Sequence, residues 1–151
     1  MISFGRYEEE NAQRQNRKAN IFDFLGFTHY CGKSRKGNFL LGRKTSGKKF
    51  RKKCEAMNAW LKAVRNACTA KEWWQVLKAK LTGHYRYYGV SGNYAMMDRF
   101  HRETLRLAMR WLNRRSQKER FNRASYGIYL KRHPLPTPKI AHNFYTLKFA
   151  T

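Results

Sequence analysis

The sequence predicts a mainly α fold in which an N-terminal β-hairpin is followed by a three-helix bundle, a short fourth helix and an extended C-terminal tail. Three observations support this fold class. Two apolar runs, residues 22 to 30 and 38 to 44, flank a turn-rich basic segment, as the strands of a hairpin do. From residue 46 onward apolar side chains recur every three or four residues, which indicates helices. The tract HPLPTP, residues 133 to 138, favours an extended chain.

The first predicted strand has apolar side chains on both of its faces, because successive strand residues point to opposite sides. The two faces carry, respectively, Phe22, Phe24, Thr28 and Tyr30, and Asp23, Leu25, Phe27 and His29. A strand of this kind needs cover above and below. We expect the helices to cover one face, and the other to lie against a larger sheet that is encoded upstream or supplied by a partner.

The helical bundle is predicted to begin at residue 46, where Ser46 is placed to cap the first helix. The apolar stripe of this helix comprises Phe50, Cys54, Met57, Leu61, Val64 and Cys68. Thr69 and Glu72 form a capping box that opens the second helix. The stripe of the second helix comprises Trp74, Leu77, Leu81, Tyr85 and Tyr88, and Gly89 is placed to end it.

The third helix is predicted over residues 93 to 114, and its wide apolar face is typical of the central helix of a bundle. That face comprises Met97, Phe100, His101, Thr104, Leu105, Leu107, Ala108, Trp111 and Leu112. A second capping box, residues 116 to 119, predicts a fourth helix that ends before Pro134. We expect Phe121, Ser125 and Ile128 to point inward from it, and the tail to pack back as an extended segment.

Net charge is the strongest functional signal in the composition. Thirty-three Lys and Arg residues against nine Asp and Glu leave +24, and such an excess attracts polyanions. RNA or DNA is the leading partner class, and an anionic membrane surface is the competing one. No run of about 18 apolar residues is present, so no membrane-spanning helix is predicted. Three cysteines without CxxC spacing, and a first segment unlike a secretory signal, predict reduced thiols and a cytoplasmic location.

No constellation of catalytic residues is apparent. The two aspartates, Asp23 and Asp98, are far apart in sequence, whereas two-metal phosphoryl transfer needs clustered carboxylates. Three consecutive glutamates, residues 8 to 10, cannot all face one ion on a regular element. His101 lies on an apolar helix face and is predicted to be a core histidine. We therefore predict no catalytic residue, no metal site and no cofactor.

The interval between Asp23 and Glu55 contains no acid. Its basic residues are Lys33, Arg35, Lys36, Arg43, Lys44, Lys48, Lys49, Arg51, Lys52 and Lys53. The last five occupy the first turns of a predicted helix, where each cation opposes the macrodipole at about 0.3–1 kcal/mol. An arrangement that lowers stability suggests phosphate binding, since neutralised phosphates release counterions. The alternative is a solvated basic face without a ligand.

Two further segments are candidate RNA-binding sites. Arg86 and Tyr87 are adjacent, and a tyrosine can stack on a base while an arginine holds phosphate; simple packing of Tyr87 is the alternative. A basic ridge near the end of the third helix comprises Arg110, Arg114, Arg115 and Lys118. Favourable placement at the negative end of the helix dipole explains that ridge only in part.

Several motifs together resemble one family. Residues 4 to 46, which contain FDFLGF, resemble the last palm segment of group II intron reverse transcriptases of the bacterial lineage. LTGHYRYYGVSGN, residues 81 to 93, looks like their maturase-specific domain, also called the thumb or X domain. WLNRRSQKERF and LKRHPLP resemble the end of the family. The resemblance extends from Phe4 to about Leu147.

The resemblance implies a palm remnant over residues 1 to 45, a thumb-like helical domain over 46 to 133 and a tail over 134 to 151. In the family this region grips intron RNA, assists its splicing-competent folding, and clamps template and primer. The family's polymerase chemistry belongs to an upstream YADD motif, which this chain lacks. We therefore expect a non-enzymatic RNA-binding piece of a mobile genetic element's protein, truncated or separately encoded. Where the family commonly has tryptophan this chain has Arg123. If Arg123 faces inward, we expect the fourth helix to pack less well and the docking of the tail to be weakened.

Two alternatives remain open at the level of sequence. The chain could be the non-catalytic subunit of a split reverse transcriptase whose palm and fingers belong to another chain, or an inert fragment of a degraded mobile element. An apolar strand face without its palm invites pairing with other chains. We accordingly expect poor solubility of the isolated chain, or a protein partner.

Overall fold

The computed structural model describes residues 4–116, 118 and 120–145. Five helices and three strands follow in the order α1 (Glu8–Arg14), β1 (Ile21–Phe24), β2 (Phe27–Lys33), β3 (Phe39–Thr45), α2 (Gly47–Val64), α3 (Ala70–Tyr88), α4 (Tyr94–Arg115) and α5 (Arg123–Arg132). Helices therefore supply most of the regular structure, as predicted, and the described part also contains a three-stranded sheet.

The prediction of one strand over residues 22 to 30 is wrong. This segment forms two antiparallel strands, and the sheet has the order β1-β2-β3. Leu25 and Gly26 form the two-residue turn between them, with φ angles of 50° and 85°. Two positive φ angles are what a tight hairpin needs to match strand twist, but Asn-Gly or Asp-Gly usually supplies them. Because leucine is unusual at the first position of such a turn, the sequence did not predict a turn here.

The turn also changes which side chains share a face. Because Phe22 pairs with His29 and Phe24 pairs with Phe27, these four side chains lie on one side of the sheet rather than on alternating sides. The rings of Phe22 and His29 are stacked with centroids 4.8 Å apart. The apolar residues of the segment are therefore concentrated on one face, and the predicted division into two apolar faces is wrong.

The N-terminal segment covers part of this sheet. The ring of Phe4 packs edge-on against Phe22 at 4.7 Å, and the Cys31 thiol donates to the carbonyl of Gly5. Glu8, which is 2% exposed, accepts hydrogen bonds from the Arg17 guanidinium at 2.6 Å and from the backbone N–H of Asn20 at 2.9 Å. The N-terminal segment thus covers part of the same sheet face that packs through Phe27 against Tyr88 of the helical bundle.

The helical bundle agrees closely with the predicted stripes. The side chain of Ser46 caps α2, and Thr69 and Glu72 form the predicted capping box of α3. Every residue of the predicted α3 stripe is buried, and α3 ends at Tyr88 with Gly89 as its C-cap, as expected. Helix α4 packs against both α2 and α3, which confirms its predicted central position. His101 is partly buried and hydrogen-bonds through Nδ1 to the Tyr85 hydroxyl at 2.7 Å, as suits a core histidine.

The prediction for the fourth helix is wrong in its start and in the inward position of Ile128, whereas Phe121 packs against the core as predicted. Helix α5 is capped by Asn122, whose side chain accepts from the N–H of Ser125 at 2.8 Å. With this start the helix buries Tyr126, whereas Ile128 is exposed. The predicted capping box falls partly on residues 117 and 119, which lie outside the described residues. Arg123 is exposed, so it does not disturb the packing of α5.

The tail packs back on the bundle as an extended segment, as predicted for the part that is described. The carbonyl of Gly89 accepts from the N–H groups of Ala141 and His142, and Ser91 N–H donates to the carbonyl of His142. A Cβ at Gly89 would lie 2.3 Å from the carbonyl oxygen of Tyr85 and 2.8 Å from that of Lys139. Only glycine permits this close approach of tail and helix.

Candidate nucleic-acid interface

Most basic side chains on the described surface lack an acidic partner. The ion pairs formed within the described residues join Arg17 to Glu8, Arg102 to Asp98 and Arg106 to Glu103. None of the predicted RNA-binding cations forms an ion pair with a described carboxylate. Their charge is therefore available to a polyanion, and their mutual repulsion is reduced only by solvent and salt.

The basic interval does not form one continuous patch. Lys33, Arg35 and Lys36 lie at the end of the sheet remote from α2, since the intervening β3 spans about 20 Å. Arg43 and Lys44 point to opposite faces of β3. The Arg43 guanidinium lies 5.1 Å from the Phe144 ring, and the Lys44 ammonium lies 5.5 Å from the Tyr30 ring.

The cations that open α2 are all exposed, but they radiate around the helix. The stem of Lys49 lies close to Gly26 in the β1–β2 turn. Arg51 lines a groove between α2 and α4, which also contains Glu55 and Glu103 and is therefore of mixed charge. Lys53 lines a different groove, between α2 and α3.

The second of these, the α2–α3 groove, combines cations with aromatic rings. It is a concavity of about 290 Å³ lined by Lys53, Ala56, Met57, Lys80, Gly83, His84, Tyr87, Tyr88 and Phe100. The Lys80 ammonium lies 4.9 Å from the centroid of the Trp60 ring. The Tyr87 hydroxyl donates to the carbonyl of Leu25 at 2.9 Å, which holds its exposed ring in place. Two predicted residues, Lys53 and Tyr87, meet here.

Sequence reasoning missed Lys80 and His84 in this groove. Together with Gly83 and Tyr87 they follow the spacing i, i+3, i+4 and i+7, which places them on one face of α3. The polar residues at this spacing, which flank the buried α3 stripe, could have revealed them. Arg86, in contrast, lines a cavity beside Leu135 on another side of α3. The predicted pair of Arg86 and Tyr87 is therefore not brought to one ligand position.

Burial controls the charge of the histidine in the groove. The His84 ring is stacked on Phe100 with centroids 3.9 Å apart. Desolvation by burial, assisted by the positive charge of Lys53, lowers the pKa of His84 to about 4. The imidazole is consequently neutral at pH 7 and can both donate and accept hydrogen bonds.

A second basic concavity, the arginine pocket, lies at the other end of α2. It has a volume of about 670 Å³ and is lined by Arg65, Arg110, Asn113, Arg114, Ser116 and Arg120. The guanidinium groups of Arg65 and Arg114 lie 5.0 and 5.1 Å from the ring of Trp111. The Arg115 side chain points away from this pocket. Its guanidinium donates to the carbonyls of Arg65 and Cys68, which follow the last residue of α2. Lys118 is exposed between α4 and α5.

Within the described ranges, no group of three His, Cys, Asp or Glu side chains could hold a metal ion. None of the described helices is long and apolar enough to cross a membrane.

A scan against protein-family models, a search of curated proteins and a search of solved structures each found no match for this chain.

Proposed function

We propose that this chain binds RNA in the manner of the maturase-specific, thumb-like domain of a group II intron reverse transcriptase, and assists the folding and splicing of the intron RNA in the cytoplasm. The observation that carries the proposal is the α2–α3 groove with its flanking cations. Lys53 and Lys80 lie there beside the exposed ring of Tyr87, and cations interleaved with aromatic rings suit phosphates and bases. The chain itself supplies no chemistry in this proposal.

A salt titration of RNA binding tests this function. The chain is titrated with a structured group II intron RNA and with an unrelated RNA of equal length. We expect a preference for the intron RNA that persists at physiological salt, because contacts beyond phosphate are less sensitive to counterions. Equal, weak binding that is lost as salt rises would contradict the proposal.

A pair of charge-matched variants locates the interface. The groove variant carries Lys53→Ala and Lys80→Ala and so loses two cations from the groove. The control variant carries Lys18→Ala and Lys71→Ala and loses two exposed cations outside the groove. The groove variant should lower the slope of log affinity against log salt by about 1.4, since each lost contact on a single strand contributes about 0.7. If the control variant lowers the slope equally, the charge acts without regard to position.

A second candidate is favoured by the exposed apolar side chains at the β1–β2 turn. Phe24 is 59% exposed and Leu25 is 66% exposed, and β1 is an edge strand of the described sheet. A split reverse transcriptase subunit would bury such residues against a palm-bearing chain. Co-purification of a chain with a YADD motif would favour this reading, and a soluble monomer in sedimentation experiments would argue against it.

A further inference from the structure

One glycine in the α2–α3 groove has no structural reason to be a glycine. Gly83 lies inside α3, where glycine is less favourable than every residue except proline. A Cβ added at Gly83 would meet no heavy atom within 4 Å, so no close packing excludes a side chain. The missing side chain instead leaves open space on the α3 side of the groove.

The groups around this space are prepared for a nucleotide. Tyr87 presents an exposed ring whose position is held by the hydrogen bond to Leu25 and by stacking against Phe27, with centroids 6.0 Å apart. A ring that is already immobilised loses little entropy on binding. Lys53 and Lys80 line the same space from the two helices, with the Lys80 ammonium over the Trp60 ring. Neither lysine takes part in the ion pairs of the described residues.

His84 adds hydrogen-bonding capacity without adding charge. Its ring is fixed against Phe100, and its low pKa keeps it neutral at pH 7. A neutral imidazole can donate to, or accept from, the polar edge of a base. Cations for phosphate, an aromatic face for stacking and a neutral polar ring therefore surround one open volume.

We propose that the α2–α3 groove binds a single unpaired nucleotide of the RNA, with its base over Gly83 against Tyr87 and His84, and its phosphates at Lys53 and Lys80. The inference rests on the proposed function and narrows it to loops, bulges or single strands. A base within a duplex has both faces stacked and cannot enter such a groove, whereas an unpaired base can.

Filling the groove tests this inference. Gly83→Leu places a side chain in the open space and improves helix propensity, so the fold should persist. Gly127→Leu is the matched control, because Gly127 lies in α5 and a Cβ there also meets nothing within 4 Å. Both variants and the wild-type chain are titrated with a short unpaired RNA that carries 2-aminopurine, and with an RNA duplex.

We expect Gly83→Leu to weaken binding of the unpaired RNA by about tenfold or more, the loss associated with one stacked base, and to leave duplex binding unchanged. Gly127→Leu should bind both RNAs as the wild type does. Quenching of 2-aminopurine fluorescence by the wild-type chain provides a measurement that needs no variant. Unchanged affinity of Gly83→Leu, equal losses for both RNAs, or absent quenching would each overturn the inference while leaving RNA binding intact. A wild-type chain that binds neither RNA would instead refute the proposed function itself.

Discussion

Asn93 joins three elements through its side chain. It is fully buried; its Oδ1 accepts from the N–H of Thr45 at 2.7 Å, and its Nδ2 donates to the carbonyl of Tyr88 at 2.8 Å. The ends of β3 and α3 are thereby connected to the start of α4. The segment LTGHYRYYGVSGN, which resembles the maturase-specific domain, thus ends in a residue whose side chain connects the sheet to the helical bundle.

Replacing Asn93 by alanine should destabilise the protein by about 3 kcal/mol, since buried backbone groups lose their partners. Urea unfolding followed by circular dichroism measures the change. Asn38→Ala in the exposed β2–β3 loop is the control and should alter stability far less. A loss below about 1 kcal/mol for Asn93→Ala would show that Asn93 does not connect the elements energetically.

His84 gives the protein a pH-dependent stability of known sign. Its pKa falls from 6.5 to about 4 on folding, so protonation favours the unfolded state. The stabilising contribution is present above pH 6.5 and is lost as the pH falls from 6.5 towards 4.

His84→Phe retains a ring against Phe100 and removes the titration. We expect the variant to become more stable relative to the wild type as the pH falls below 6.5, by up to about 1.4 kcal/mol per pH unit. Unfolding free energies measured between neutral and acidic pH test this, with the exposed His133→Phe as a control for loss of a histidine. A pH-independent difference between His84→Phe and the wild type would contradict the assignment.

At the scale of elements, the start of α2 places cations where the helix dipole disfavours them. The first turn of α2 contains no acid, and Lys62 lies in its last turn, where a cation is favourable. The two ends of one helix therefore offer substitutions with the same charge change and opposite expected effects on stability.

We expect Lys48→Glu to raise stability by about 0.3–1 kcal/mol and Lys62→Glu to lower it by a similar amount. If the first turns of α2 contact phosphate, Lys48→Glu should nevertheless weaken RNA binding. Thermal unfolding and RNA titration on the same samples separate the two effects. A gain in both stability and affinity for Lys48→Glu would argue against an RNA-binding role for this turn.

The β1–β2 turn contains a second local conflict. Leu25 adopts a positive φ of 50° and is 66% exposed, although an asparagine is better suited to both conditions. Leu25→Asn should therefore stabilise the protein by about 0.5–1 kcal/mol, without affecting the backbone carbonyl to which Tyr87 donates. Leu25→Val should destabilise it, because a β-branched residue resists positive φ. Chemical denaturation of the two variants tests the assignment of the turn, and the opposite order of stability would contradict it.

At the scale of the whole molecule, the net charge of +24 repels itself in the compact state. Raising the salt concentration from low to physiological should increase the melting temperature in the absence of RNA, because screening shortens the range of this repulsion. Differential scanning calorimetry at several sodium chloride concentrations measures the trend. A melting temperature that falls with salt would indicate that the described ion pairs outweigh the repulsion.

The sequence determined the features that depend on a few neighbouring residues. The caps at Ser46 and Thr69, the buried stripe of α3 and its C-cap at Gly89 all follow from local hydrogen bonds and from periodicity. The sequence also determined the net charge, because charged residues can be counted without knowing the fold.

The tertiary structure decided which side chains meet. It turned residues 25 and 26 into a hairpin, because strand pairing outweighs the reluctance of leucine to adopt positive φ. It places the side chains of Arg86 and Tyr87, which are adjacent in sequence, on different sides of α3. It also brings Tyr87 of α3 and Lys53 of α2 into one groove. It also moved the start of α5 to Arg123. These outcomes depend on the packing of distant segments, whose energies no local pattern contains, whereas caps and stripes are fixed by interactions within a turn or two of the same helix.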